Sequence, residues 1–158
     1  MKKHRLCYLL MITILFTGFI CQSALAQNES IHDTTVILNP GNTQITIVDN
    51  KATSNKILDV APYIQDGFTL VPVRGVLEAL GATARWIPEA GQVEVITADT
   101  RILLTVESNV ALVNGGSVTM DKPVQVINSR TLIPLRFVAE NLGYMVKWVG
   151  AENKIIIF

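Results

Sequence analysis

A stretch of 18 residues recurs 62 positions downstream without a gap, and this recurrence constrains the fold more than any other feature of the chain. Thr69-Leu70-Val71-Pro72-Val73-Arg74-Gly75-Val76-Leu77-Glu78-Ala79-Leu80-Gly81 is answered by Thr131-Leu132-Ile133-Pro134-Leu135-Arg136-Phe137-Val138-Ala139-Glu140-Asn141-Leu142-Gly143. The match continues to Trp86 and Trp148. Nine of the 18 positions are identical, where average composition gives about one by chance. Self-similarity at a fixed offset predicts an internal duplication, with repeats at about 66–96 and 128–158.

Each repeat has the same local reading. Leu70-Val71 and Leu132-Ile133 end a strand. Pro72 and Pro134 fit the first helical turn, where the missing N–H costs nothing. Gly81 and Gly143 fit the left-handed position just past a helix C-terminus. The helix between is about two turns, too short to persist in water without packing. Helical spacing places Val73, Val76, Leu77 and Leu80 inward, and Leu135, Val138, Ala139 and Leu142 likewise. Arg74, Glu78, Arg136 and Glu140 fall outward. A strand follows each helix, with Ala82, Ala84 and Trp86 on one face and Tyr144, Val146 and Trp148 on its counterpart.

The rest of the chain reads as β-hairpins. Thr34 to Leu38 and Gln44 to Val48 flank Asn39-Pro40-Gly41-Asn42, and Asp49-Asn50-Lys51 marks another turn. Ala111 to Val113 and Ser117 to Thr119 flank Asn114-Gly115-Gly116. The predicted fold class is α+β: mostly antiparallel β with two short helices, from an internal duplication of a strand–helix–strand unit.

The N-terminus carries export chemistry. Met1 to Arg5 is basic, Leu6 to Ile20 is almost wholly apolar, and Ala24-Leu25-Ala26 is an A-x-A site. Residues 1–26 therefore read as a secretory signal peptide. The rival reading, a retained anchor, is weakened because the apolar run falls short of about 20 residues. Cys21 is a poor lipidation site, because Ile20 precedes it where a small residue is needed. The expected organisation is a signal peptide over 1–26, an N-terminal extension over 27–43 and one domain over 44–158. No membrane span is expected after cleavage.

Composition then excludes several classes of function. Without Lys2, Lys3 and Arg5, 10 basic side chains face 13 acidic ones, a net charge of −3. That gives no electrostatic case for a nucleic-acid or anionic membrane partner. Both cysteines, Cys7 and Cys21, lie in the signal segment, so the mature chain is expected to have no disulfide, thiolate metal site or cysteine nucleophile. His32 is its one remaining histidine.

The doubled Leu-Val/Ile-Pro-Val/Leu-Arg pattern, the helix ending in Leu-Gly and the following Trp resemble the copper amine oxidase N-terminal-like domain, or stalk domain. The resemblance covers about Ile45 to Phe158. It implies a small α+β unit, exported by bacteria and often attached to cell-wall hydrolases or other extracellular domains. No further domain is expected here. Amine oxidase chemistry belongs to another domain, with copper on three histidines and a tyrosine-derived quinone. Tyr63 and Tyr144 lack the Asn-Tyr-Asp/Glu context of that precursor. No enzyme activity, cofactor or metal is expected, and no catalytic residue is assigned.

The resulting functional expectation is a non-catalytic exported interaction module, secreted or wall-associated, binding cell-wall polymer or another extracellular protein. The alternative is a regulator or inhibitor of an extracellular hydrolase, acting through loops such as Asn114-Gly115-Gly116. Phe137, Arg74 and Arg136 are the candidate partner-binding residues. Phe137 lies outward where the first repeat has Gly75. It is either covered by the other repeat or a loop, or exposed as an aromatic handle. Arg74–Glu78 and Arg136–Glu140 are expected as i,i+4 surface pairs worth about 0.2–0.5 kcal/mol. A sharper role for both arginines is binding wall carboxylates or phosphates. Trp86 and Trp148 are expected in the core rather than stacked on sugar. Asp59 and Asp121 correspond at the same offset and read as turn formers. Glu89, Glu94 and Asp99 read as scattered surface acids.

Overall fold

The computed structural model describes residues 33–158. The expected signal peptide, Cys7, Cys21 and His32 lie outside the described residues. The chain begins with an antiparallel meander of β1 (Thr35–Leu38), β2 (Gln44–Val48) and β3 (Thr53–Ile57). The turn between β2 and β3 is held by Asp49, whose carboxylate accepts the amides of Lys51 and Ala52 at 2.7 and 2.8 Å. Next come β4 (Tyr63–Gln65), β5 (Phe68–Pro72), α1 (Val73–Ala79), β6 (Thr83–Ile87) and β7 (Gln92–Ile96). Strands β8 (Arg101–Thr105), β9 (Val110–Val113) and β10 (Gly116–Thr119) extend that run. The chain then repeats the earlier order with β11 (Gln125–Ile127), β12 (Arg130–Pro134), α2 (Leu135–Asn141), β13 (Val146–Val149) and β14 (Lys154–Ile157). Among the described residues the chain is mostly antiparallel β with two α-helices, as the α+β reading anticipates.

Three sheets organise the strands. The central sheet has the order β11-β12-β5-β4. Its middle pair aligns Leu132 with Pro72, Ile133 with Val71 and Pro134 with Leu70. Val71 and Ile133 are 62 apart and face each other, so the register is two-fold symmetric about them. The outer pairs follow suit: Tyr63 opposes Leu70 as Gln125 opposes Leu132. Pro72 and Pro134 end their strands instead of opening the helical turn expected of them, with extended backbone (φ −63°, ψ 134° and φ −66°, ψ 109°). A residue without an N–H is tolerated where the ladder stops.

The flanking sheets are β10-β9-β8-β7-β6 and β13-β14-β1-β2-β3. Trp86 opposes Val93 in one, and Trp148 opposes Ile155 in the other. In the second, β1 lies beside β14, with Val36 opposite Ile157. That is the place β8 takes beside β7, where Ile102 opposes Val95. Val36 and Leu38 are fully buried. The expected boundary at 44 therefore cuts through a hairpin, and part of the 27–43 extension is a structural strand. The physical reason is that β14 has an open edge whose backbone groups β1 satisfies.

One hydrophobic cluster takes in both units. It joins Val76, Leu77 and Leu80 of α1 and its cap to Val138, Ala139 and Leu142, together with Val36, Ile45, Ile102, Leu104 and Ile157. The inward faces read from helical spacing are the buried ones. Each helix closes on its glycine, at φ 74° for Gly81 and φ 90° for Gly143. The amides of Ala82 and Tyr144 then donate back to Leu77 and Ala139 at 2.9 Å.

Candidate functional site: two tryptophan-lined grooves

Two surface grooves, of about 430 and 410 Å³, lie where the helix start of one unit meets the hairpin of the other. Pro72, Val73, Arg74, Ala84, Trp86 and Val93 line the first. Their counterparts Pro134, Leu135, Arg136, Val146, Trp148 and Ile155 line the second. The opposite walls are exchanged in the same way, with Val126, Ser129, Arg130 and Thr131 in the first and Ile64, Gly67, Phe68 and Thr69 in the second. Asp59 and Asp121 also correspond, whereas Arg85 of the first groove and Phe137 of the second have no counterpart in the other lining.

The tryptophans correct the expectation of core residues, since each is 44 % exposed. They do sit on the apolar face of their strands. But β6 and β13 are the outermost strands of their sheets, so each indole has strand neighbours on one side only. A large ring at a sheet edge overhangs the groove instead of entering the core.

The candidate residues Arg74, Arg136 and Phe137 are divided between the grooves: Arg74 in the first, Arg136 and Phe137 in the second. The two arginines are placed differently by their backbones. Arg74 is extended (φ −73°, ψ 150°) and Gly75 follows at φ 86°, ψ −53°. The first turn of α1 is thus not helical, and Glu78 pairs across to Lys56 of β3 at 2.6 Å instead of to Arg74. The Lys56 hydrogen bond is the main reason that the Glu78 carboxyl titrates below the ordinary carboxylate range. Arg74 has no ion-pair partner among the described residues and is exposed at the groove. In regular α2, Arg136 does pair with Glu140, at 3.0 Å.

Gly75 explains the difference. Its backbone is near the strained γ-turn region that L residues avoid. A Cβ built on it would stand 2.5 Å from Cδ2 of the buried Leu58. Phe137 occupies the matching position in α2. It is half-buried, packs against the core cluster and contributes to the second groove, so it is partly covered and partly open to that groove.

Charge separates the grooves further. The first presents Arg74, Arg85 and Arg130 against one acid, Asp59, which Arg130 holds at 2.9 Å. The second presents Arg136 and Asp121 among Ile64, Phe68, Phe137 and Trp148. The Lys122 ammonium lies 5.5 Å from the centre of the Phe68 ring and pairs with Asp66.

Glu94 corrects another expectation. It is 2 % exposed, not a scattered surface acid. Arg85 donates to it at 2.8 and 2.6 Å and Arg101 at 2.7 Å. Both guanidiniums are themselves well exposed, so the carboxylate is covered by its partners on the sheet surface rather than sunk in apolar core. Hydrogen bonds from Arg85, then Arg101, keep it ionised well below the usual carboxylate range. Glu89 and Asp99 are exposed. Sequence reasoning assigned no role to Arg85, Arg101 or Arg130. The usable signal was cross-strand alternation, which places Arg85 directly opposite Glu94.

The tyrosines have structural roles. The Tyr63 hydroxyl donates to Gln125 Oε1 and the Tyr144 hydroxyl to the Leu80 carbonyl, both at 2.9 Å. Burial pushes both phenols above their ordinary pKa. Among the described residues no group of three or more His, Cys, Asp or Glu could hold a metal ion, and no helix is long and apolar enough to cross a membrane.

A family model for the copper amine oxidase N-terminal domain matches residues 47–157. No curated protein gives a significant match. His4 and His32 both fall outside the matched region, so its donor set does not fit a histidine-held copper, and no chemistry is routed through one.

Proposed function

The chain belongs to the copper amine oxidase N-terminal domain family, the non-catalytic part of those enzymes, and from that premise we propose that it is an exported, non-catalytic module that binds cell-envelope polymer. The observation that carries the reading is the pair of matched grooves, each with a half-exposed indole overhanging it. An indole offers a flat apolar face with a polar edge, which fits a sugar ring whose C–H face is apolar and whose rim is hydroxylated. Two such grooves on one unit give a repeating polymer two points of attachment, which raises avidity without tight single sites. Export rests on the basic, apolar and A-x-A segments of residues 1–26. The 18-residue sequence match at a 62-residue offset and the repeated strand registers support an origin of both grooves by internal duplication.

Co-sedimentation with purified cell-wall polymer tests this reading. The protein is expected to pellet, Trp86→Ala and Trp148→Ala each to weaken pelleting several-fold, and the double variant to stay in the supernatant. If the unaltered protein stays in solution but recovers one stoichiometric protein from culture medium, the polymer reading fails. A protein partner, such as a regulated hydrolase, then takes its place.

A further inference from the structure

We propose that the first groove is a site for a sugar acid, in which Trp86 stacks on the pyranose ring and Arg74 anchors the ring's carboxylate. The inference deepens the polymer-binding reading and rests on it for the stacking half.

Three observations carry it. First, the break at Gly75 takes Arg74 out of helical register, and Lys56 occupies the carboxylate of Glu78 that would have engaged it. Among the described residues Arg74 is left exposed without an ion pair, acted on by Glu78 through charge alone, in a groove lined by three arginines and one acid. Second, Arg85 and Arg130 on the same lining are already paired, to Glu94 and Asp59. Arg130 is neutralised by Asp59, Arg85 shares Glu94 with Arg101 in a group that keeps one net positive charge, and Arg74 keeps its donors available. A guanidinium takes a carboxylate with two parallel N–H···O bonds, a geometry that suits a rigid ring substituent. Third, the matched groove is a built-in contrast. There Arg136 is paired with Glu140, and Phe68 replaces Arg130. Two grooves of one shape thus differ in charge, and the anionic part of a ligand belongs in the first.

The probe is a trimer of galacturonic acid, compared with its methyl ester, which keeps the ring and removes the charge. Binding to the full chain is followed by tryptophan fluorescence. The acid is expected to bind at least about tenfold more tightly than the ester, a difference of about 1.4 kcal/mol. Its affinity is expected to fall as salt rises from about 50 to 300 mM. Arg74→Gln should lose at least about tenfold, while Arg136→Gln stays within about twofold. Glycerol phosphate, anionic but without a ring, should compete at least about tenfold less well than the acid, because stacking on Trp86 is missing. Equal binding of acid and ester, no effect of Arg74→Gln, an equal effect of Arg136→Gln, or no binding of the acid overturns the proposal. Undiminished pelleting of Arg74→Gln with wall polymer, alongside failure with the acid, leaves the polymer reading standing without this one. A chain that binds the acid but never pellets with polymer does the reverse.

Discussion

The helix after Pro72 and the helix after Pro134 start from the same pattern, bury the same face and close on the same left-handed glycine, yet they present their arginines in different states. In the second unit Phe137 continues the helix from its first turn, and Arg136 meets Glu140 one turn on. In the first, Gly75 turns the backbone to φ 86°, Leu58 fills the space a side chain would need, and Arg74 is left extended. The lesson is that one glycine can re-pair a repeated Arg–Glu pattern without altering the scaffold around it. The groove walls stay matched while their chemistry diverges.

The comparison is broken most severely through its shared part. Leu80 and Leu142 cap the two inward faces and are 3 % and 8 % exposed. Leu80→Ala and Leu142→Ala are each expected to cost about 2–5 kcal/mol in denaturant unfolding, with Leu80 the larger. Unchanged unfolding midpoints would mean that the two faces do not share a core. Gly75→Ala comes next. A Cβ at positive φ and in contact with Leu58 is expected to cost about 1–3 kcal/mol, while alanine at Phe137 meets no backbone strain. A neutral Gly75→Ala would show that Arg74 is extended for some other reason.

The smallest effects sharpen the contrast between the ion pairs. Double-mutant cycles at neutral pH should give Arg136–Glu140 a coupling of about 0.2–0.5 kcal/mol and Arg74–Glu78 a smaller one, since Arg74 acts on Glu78 through charge without a direct ion pair. Lys56–Glu78 should also couple weakly, since both side chains are well exposed. The Glu78 carboxyl is held below its ordinary pKa, so its contribution is present above the unfolded value and disappears as pH falls through the folded one. The Lys56–Glu78 coupling should therefore vanish in acid. Persistence at low pH would mean that it is packing, not charge, that joins them.

Much of the scaffold was legible in the residues. Helical spacing identified Val76, Leu77 and Leu80 as inward, and turn chemistry identified the hairpins at Asn39 to Asn42 and Asn114-Gly115. The site was legible only in parts. The residues point to Arg74, Arg136 and Phe137, but strand alternation puts the tryptophans that overhang the grooves in the core. Strand alternation tells which face a side chain takes; it does not tell whether the strand is the last of its sheet. Glu94 was misread for a related reason, because its partners Arg85 and Arg101 come from the two neighbouring strands.

The sequence alone determined the two short helices, their buried faces and the glycines that end them. Each of these depends on backbone preferences and periodicities spanning a few residues. Tertiary structure decided that β1 completes the sheet of β14, that Trp86 and Trp148 stand at edges, and that Glu78 turns to Lys56 and leaves Arg74 open. Those outcomes depend on residues brought together from distant points in the chain. Competition among them for the same edge or the same carboxylate is settled only once the sheets are assembled.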